Sequence, residues 1–493
     1  MRLTSCLLLW CLSCATLSAQ LPYTTANKYG YRVQKDLVYG TAQTYVGITD
    51  TLEIDIYKPL GDNNPKRPLI VLVYGGSWLA GCKEDIKDYA IDMARRGYVV
   101  ACPNYRLGWH KDNNVATPIC LFDGTQRNLY PYDSCEIIRA LYRGQQDVKG
   151  AIRWLKGRAQ LDSVDVCKVL VGGFSAGGFN ALAVGFLDRP SEKPLCCFDL
   201  PDALPPDPDM YNQAVLKNCA LTSFTITAPK LTRPNLGSID GSLNQNGTDA
   251  NVLGVINFFG GMPYEALPNN WLQGPDTPAV YLYHQTCDGI VPFSYGQPFQ
   301  VISQYCNLGC TPWHYKTPHV YGSGAIASAL ETMPGKPICF KTEFTICPAF
   351  NPGLALFECV RYGDNGSYHY VDQPYVRLQT VADFFSPFVT NPALCNRTSC
   401  ATVATNTPES ILDGILVAPN PFNDRLALFT DAPPQEPVLI ELLQFTGQVV
   451  WRDMLVLQTG ENELFRGLPL PAGAYGLRIV GKDGARMIVV EHY

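Results

Sequence analysis

Lys168-Val169-Leu170-Val171-Gly172-Gly173-Phe174-Ser175-Ala176-Gly177-Gly178 is the stretch whose reading decides the fold. Its first half is a short apolar run with β-branched residues, which suits a strand covered on both faces. It enters Gly173-Phe174-Ser175-Ala176-Gly177, a fit to G-x-S-x-G, and a small-residue helix is predicted just beyond, over Phe179 to Leu187. Five residues with three small positions are a weak signal alone, and a glycine-rich turn with a capping serine is the competing reading. The setting strengthens it. A buried strand before and a helix after are what this motif requires, because small neighbours permit a sharp turn that leaves the serine hydroxyl exposed above a sheet. Ser175 is therefore the candidate nucleophile, and the amide of Ala176 a candidate oxyanion donor.

Outward from this turn the pattern alternates. Strands are predicted at Thr51 to Tyr57, Leu69 to Tyr74, Tyr98 to Cys102, Val252 to Phe259, Ala279 to Tyr283 and Leu354 to Arg361. Helices are predicted at Asp85 to Arg96, Gln145 to Arg158 and Arg377 to Phe388. Strand–helix alternation with buried strands implies a mostly parallel, doubly wound α/β sheet with helices on both faces. Residues 188–250 and 306–350, rich in Pro and Cys, break the rhythm and read as rim insertions, the first a candidate lid.

An acylated serine needs donors for its oxyanion and a base with an orienting acid. Val73-Tyr74-Gly75-Gly76-Ser77-Trp78 follows a buried strand, and Gly75 and Gly76 let the backbone approach closely with their amides. A plain Gly-Gly turn is the bland alternative. Asp288 follows another buried strand, with Asp364 second to it and a turn-stabilising Asp-Gly the alternative. Of six histidines, His369 has the chain order and loop position of a base, with His319 next.

From Pro68 to Leu187 the chain resembles the esterase/lipase α/β-hydrolases of the hormone-sensitive-lipase and feruloyl/acetyl-xylan-esterase type. The carriers are Tyr74 to Trp78, Asn104-Tyr105-Arg106-Leu107, Asp147 to Leu155 and Gly173 to Gly178, in that order, then His284 to Pro292, which is similar to an "HG..D..VP" segment. Interrupted by insertions, the resemblance extends to about residue 390. It departs at Tyr74, where histidine is usual, and at Ser77, where glycine is common. It implies the α/β-hydrolase fold over residues 20–390 and a Ser175–His369–Asp288 triad. Gly75, Gly76 and Ala176 would form the oxyanion hole. Such chemistry needs no metal or organic cofactor. The implied function is a serine carboxylic-ester hydrolase, with acyl-decorated polysaccharides as candidate substrates. A lipase or polyester hydrolase, a serine peptidase and a non-catalytic binding protein on the same fold are the alternatives.

Residues 391–414 lack periodicity and read as a linker. Beyond lie short strands at Arg425 to Phe429, Val438 to Gln444, Val449 to Leu455, Tyr475 to Val480 and Met487 to Val490, a small all-β sandwich domain. Val417 to Phe422, Leu468 to Tyr475 and Lys482 to Glu491 resemble the type IX secretion C-terminal sorting domain of Bacteroidetes, which implies the type IX machinery as a partner over residues 415–493. A spacer or carbohydrate-binding sandwich is the alternative.

At the other end Met1-Arg2, the apolar run Leu7 to Leu12 and the small residues Ser13 to Ala19 have the layout of a signal peptide over residues 1–19. A secreted or cell-surface protein is expected, and no stretch is apolar enough for a transmembrane helix. Three of the 19 cysteines fall in the leader, and the remaining 16 are an even set, as disulfides in an oxidising compartment require. Cys306–Cys310, Cys339–Cys347 and Cys395–Cys400 are plausible local pairs; zinc is the weaker reading. A net charge of −6 without a basic stripe speaks against a nucleic-acid partner.

Overall fold

Every residue of Arg67–Val73 is buried, and successive side chains of a strand point to opposite faces. Such a strand needs a layer on each side. The computed structural model supplies both, and it describes residues 21–111, 119–120, 126–127, 131–203, 212–217, 219–225, 231–273, 277–306, 316–333, 339–391, 415–418, 422–430, 433–444, 449–481 and 484–492. The leader, nearly all of the 391–414 linker and the pair Cys395/Cys400 lie outside these residues.

Eight strands form the main sheet: β1 (Gly30–Gln43), β2 (Thr49–Leu60), β3 (Arg67–Val73), β4 (Val99–Pro103), β5 (Val164–Phe174), β6 (Gly254–Phe258), β7 (Ala279–Gln285) and β8 (Phe340–Thr345). Their order is β1-β2-β4-β3-β5-β6-β7-β8. β1 pairs antiparallel with β2 and β2 with β4, and every later neighbour is parallel. The helices around the sheet are α1 (Lys87–Arg95), α2 (Ser134–Gly157), α3 (Ala176–Phe186), α4 (Gln300–Tyr305) and α5 (Ser323–Thr332), which lie between its strands, and α6 (Ala355–Asp364) and α7 (Pro374–Thr390), which follow β8. α2 packs on α3, and α1 on α7. This is the α/β-hydrolase arrangement. Each fully buried Leu, Ile or Val of β3 and β5 contributes about 1.5–3 kcal/mol by leaving water.

α2 starts well before the predicted Gln145, because Asp133 caps it by accepting from the Cys135 amide at 3.0 Å. Its polar side chains are buried because residues 234–243 run alongside and offer carbonyls. Arg139 donates to Pro234 (2.6 Å), Gln145 to Ile239 (2.8 Å) and Arg153 to Asp240 (2.7 Å). Arg106 clamps Asp147 of the same helix, with Nη2 to Oδ1 at 2.7 Å.

Two expectations need correction here. Leu354 to Arg361 is not a strand. It lies in helix α6, whose Ala355, Cys359 and Tyr362 recur at helical spacing and face a small core with Phe350 and Ile302. The last sheet strand is β8, inside the stretch read as the 306–350 insertion, which also holds α5. The local pairs Cys306–Cys310 and Cys339–Cys347 are also overturned. Cys306 bonds Cys359 and Cys347 bonds Cys287, because α4, α6 and the end of β8 fold over the loop after β7. Cys82–Cys219 and Cys135–Cys196 tie down residues of the 188–250 segment. The even count does not mean that all pair: Cys102 and Cys197 are buried thiols, and burial pushes Cys197 up to about 12.

The C-terminal strands form two sheets, Leu416–Ala418 with Arg425–Thr430 and Gly460–Arg466, and a four-stranded sheet of Val449–Leu455, Val438–Gln444, Gly473–Gly481 and Gly484–His492. One apolar core is shared between them, with Leu426, Leu428, Ile440, Leu442, Leu477 and Ile479 fully buried. The alternating pattern of the sequence is that of a sandwich. No helix among the described residues is long and apolar enough to cross a membrane.

Candidate active site

β5 ends at Phe174 and α3 begins at Ala176, so the whole reversal falls on Ser175, at φ 52° and ψ −121°. A non-glycine residue rarely adopts this backbone, and such strain persists only where the surroundings enforce it. The Ser175 amide donates to the Phe258 carbonyl at 2.9 Å, and its carbonyl accepts from Phe179 at 3.0 Å. Close approach explains the flanking glycines: a Cβ on Gly173 would lie 2.0 Å from the Gly177 oxygen, and one on Gly177 2.1 Å from the Val73 oxygen. Ala176 opens α3, so its N–H has no partner inside the helix and sits at the positive end of the helix dipole.

The loop after β3 comes up beside this turn. A Cβ on Gly75 would stand 3.0 Å from Ser175 Cβ. Gly76 has φ 107°, and its carbonyl accepts from the amides of Leu79 (2.9 Å) and Ala80 (3.0 Å). Trp78 anchors the loop to α3, donating from Nε1 to Asn180 Oδ1 at 3.0 Å and meeting Phe179 edge-on. Tyr74, where the resembling enzymes carry histidine, turns into the core: its ring stacks on Tyr105 at 4.7 Å. The departure thus leaves the Gly75–Gly76 backbone beside Ser175.

Asp288 and His369 come from segments 81 residues apart and meet at 2.7 Å, Asp288 Oδ2 to His369 Nδ1. Asp288 Oδ1 accepts from the amides of Ile290 (2.8 Å) and Val291 (3.0 Å), which fixes the carboxylate plane. Burial works to raise its pKa, but the charge of His369 and hydrogen bonds from His284 and His369 outweigh that and hold it below the usual carboxylate range. His369 follows Gly366-Ser367-Tyr368, all at positive φ, and the Gly289 amide binds the Ser367 carbonyl at 2.9 Å, joining the two loops. Phe259 meets the His369 ring edge-on at 4.6 Å. The second-ranked residues are elsewhere. Exposed Asp364 ends α6, and exposed His319 stacks on Tyr295 at 5.2 Å.

Beside Ser175 and Ala176 opens an apolar cleft walled by Ile137, Leu141, Phe179, Val291, Phe299 and Val320. No described residue of 188–250 lines it. Residues 234–243 of that stretch instead lie along α2, where their carbonyls are held by the helix side chains.

Sequence reasoning passed over His284, Ser323 and Asn257, a fully buried polar chain behind Asp288. The signal was present for His284, four residues before the acid on a buried strand. Ser323 and Asn257 join it only through tertiary packing. Among the described residues the one grouping of metal-ligating side chains is Cys82, Asp85 and Cys219, and its cysteines are joined in a disulfide.

The BD-FAE family matches residues 54–131, which carry β2 to β4 and the Gly75–Gly76 loop. No curated protein matches the sequence. Among solved structures the chain is similar to Thermogutta terrifontis esterase 2 phosphorylated by paraoxon, at 17% identity over 72% of this chain and 93% of that one, TM-score 0.35. It is similar to a truncated carbohydrate esterase from gut microbiota, at 16% identity over 76% and 100%, TM-score 0.36. A bifunctional GH43-CE protein of Bacteroides eggerthii matches at 14% identity over 72% and 35%, TM-score 0.36. The strand order and the Ser175 turn, with the BD-FAE match over residues 54–131, identify an α/β-hydrolase fold.

Proposed function

We propose that this chain is a serine carboxylic-ester hydrolase in which Ser175 attacks the ester carbonyl, His369 takes its proton and Asp288 holds the imidazole. The observation that carries this reading is the 2.7 Å contact of His369 Nδ1 with a buried Asp288, the His369 ring lying against Phe259, next to the Phe258 carbonyl that receives the Ser175 amide. A proton on His369 Nδ1, held by the carboxylate, leaves Nε2 as the base. The amides of Ala176 and of Gly75 and Gly76 would receive the oxyanion, and water would then hydrolyse the acyl-enzyme.

The apolar cleft beside Ser175 and Ala176 would receive the acyl group. Acyl decorations of polysaccharides are the substrate class that the resemblance to feruloyl/acetyl-xylan esterases favours, ahead of lipids or aliphatic polyesters. The leader, the disulfides and the type IX-like motifs support export and display or release at the cell surface, with residues 415–493 as the address.

Hydrolysis of p-nitrophenyl acetate and octanoate by the mature protein, beside Ser175→Ala, tests the reading. We expect ester turnover, with the acetate-to-octanoate ratio ranking acyl length, and its loss by at least about 10³-fold in the variant. Turnover that survives in Ser175→Ala would refute the nucleophile, and none on any ester by folded protein would refute the esterase.

A further inference from the structure

Behind the Asp288 carboxylate lies a second imidazole, which the proposed triad does not use. His284 Nε2 sits 3.2 Å from Asp288 Oδ2, the same oxygen that His369 approaches, and 3.2 Å from the Val291 carbonyl. Both neighbours are acceptors: neither an ionised carboxylate nor a carbonyl donates. Nε2 must therefore carry a proton. On the other side of the ring, Nδ1 lies 2.8 Å from Ser323 Oγ.

The direction of that bond is set further back. The Gly260 amide donates to Asn257 Oδ1 at 3.0 Å, which fixes the amide orientation. Asn257 Nδ2 then donates to Ser323 Oγ at 3.0 Å. With one acceptor site taken, the Ser323 hydroxyl has its own proton free to give to His284 Nδ1. The chain thus runs one way, from Gly260 through Asn257, Ser323 and His284 to Asp288. Asn257, Ser323 and His284 are wholly buried, and Phe293 meets the His284 ring edge-on at 5.7 Å.

We propose that His284 is a positioning residue for Asp288: held neutral and protonated on Nε2 by Ser323 and Asn257, it donates to the carboxylate oxygen that receives His369 and keeps that oxygen aimed at His369. This inference rests on the proposed hydrolase reading. Two donors share Asp288 Oδ2, so the carboxylate pulls less strongly on the His369 proton than it would alone. Removal of His284 then changes the charge that the His369 proton meets as well as the position of the carboxylate. The other groups around them are accounted for. Tyr362 of α6 feels the Asp288 charge and is kept protonated by burial. Asp372 is occupied by Arg377 and Thr345, and Arg361 by Glu358 and Tyr368.

The test is the pH profile of short-ester hydrolysis for His284→Phe and His284→Gln, with ¹⁵N-histidine NMR of the unmodified protein. His284→Phe should lower kcat about tenfold or more, as loss of an outer partner does at other catalytic ligands, with KM nearly unchanged. Its acid limb should shift. His284→Gln, which restores a donor, should recover part of kcat and move the limb back. In the spectrum the His284 ring, found through its contact with Phe293, should be neutral with the proton on Nε2. A folded His284→Phe with unchanged kcat and acid limb overturns the proposal, and so does a proton on His284 Nδ1 or an imidazolium at neutral pH. If the variants fail to fold, the spectrum alone decides. Absence of Ser175-dependent turnover in the unmodified protein would count against the hydrolase reading, while the spectrum would still report the His284 tautomer.

Discussion

His110 is enclosed by the ring of Tyr45, the Arg143 guanidinium and the Thr232 carbonyl, and burial, then Arg143, pushes its pKa down to about 3. The unfolded chain takes up a proton on this residue near about 6.5, and the folded one not until about 3. In that window the unfolded state binds more protons, so stability falls as pH falls, by up to about 1.4 kcal/mol per pH unit from this one group. A His110→Gln variant should therefore lose urea resistance less steeply between about pH 6 and pH 4 than the unmodified protein. Equal slopes would contradict the burial argument. Ser175, Asp288 and His369 are legible in the sequence because a turn of small residues, a strand end and chain order are local features. His284, Ser323 and Asn257 are not, because their bonds join β7, α5 and the end of β6. A histidine on a buried strand reads as core until its partners are known.

At the scale of elements, α6 marks the limit of pattern reading. Leu354, Leu356, Phe357 and Val360 suggest an apolar strand, yet Leu356 and Phe357 are more than two-thirds exposed, and the buried face is the one with Cys359 and Tyr362. Density of apolar residues misled where period should have decided. The helix is held by Cys306–Cys359, which closes a 53-residue span, and its end runs directly into the His369 loop. Loop-closure entropy for such a span corresponds to about 4 kcal/mol. The double variant Cys306→Ser with Cys359→Ser should lower the denaturation midpoint accordingly, and, on the proposed role of His369, it should lower kcat for short esters more than it raises KM, because the His369 loop loses its support. Calorimetry and steady-state kinetics on the same preparation check both. A destabilised variant with normal kcat would separate the helix from the site.

For the whole molecule the main question is how far the two cores depend on each other. The sheet core and the C-terminal sandwich are separate clusters, each closed by its own strands. A unit with its own core should fold alone. A chain ending at residue 391 should then hydrolyse short esters with kcat and KM within about twofold of the full chain. Loss of activity on truncation would mean that the sandwich supports the site.

Alternation of strand and helix, the serine turn and the succession Ser175, Asp288, His369 can be read from the residues alone, because each reflects burial or backbone strain within a few positions. Cysteine pairing, the turn of Tyr74 into the core, the packing of residues 234–243 along α2 and the tautomer of His284 cannot. Each depends on atoms brought together from segments tens to hundreds of residues apart, and a hydrogen-bond direction or a disulfide partner is set by what lies within a few ångströms in space.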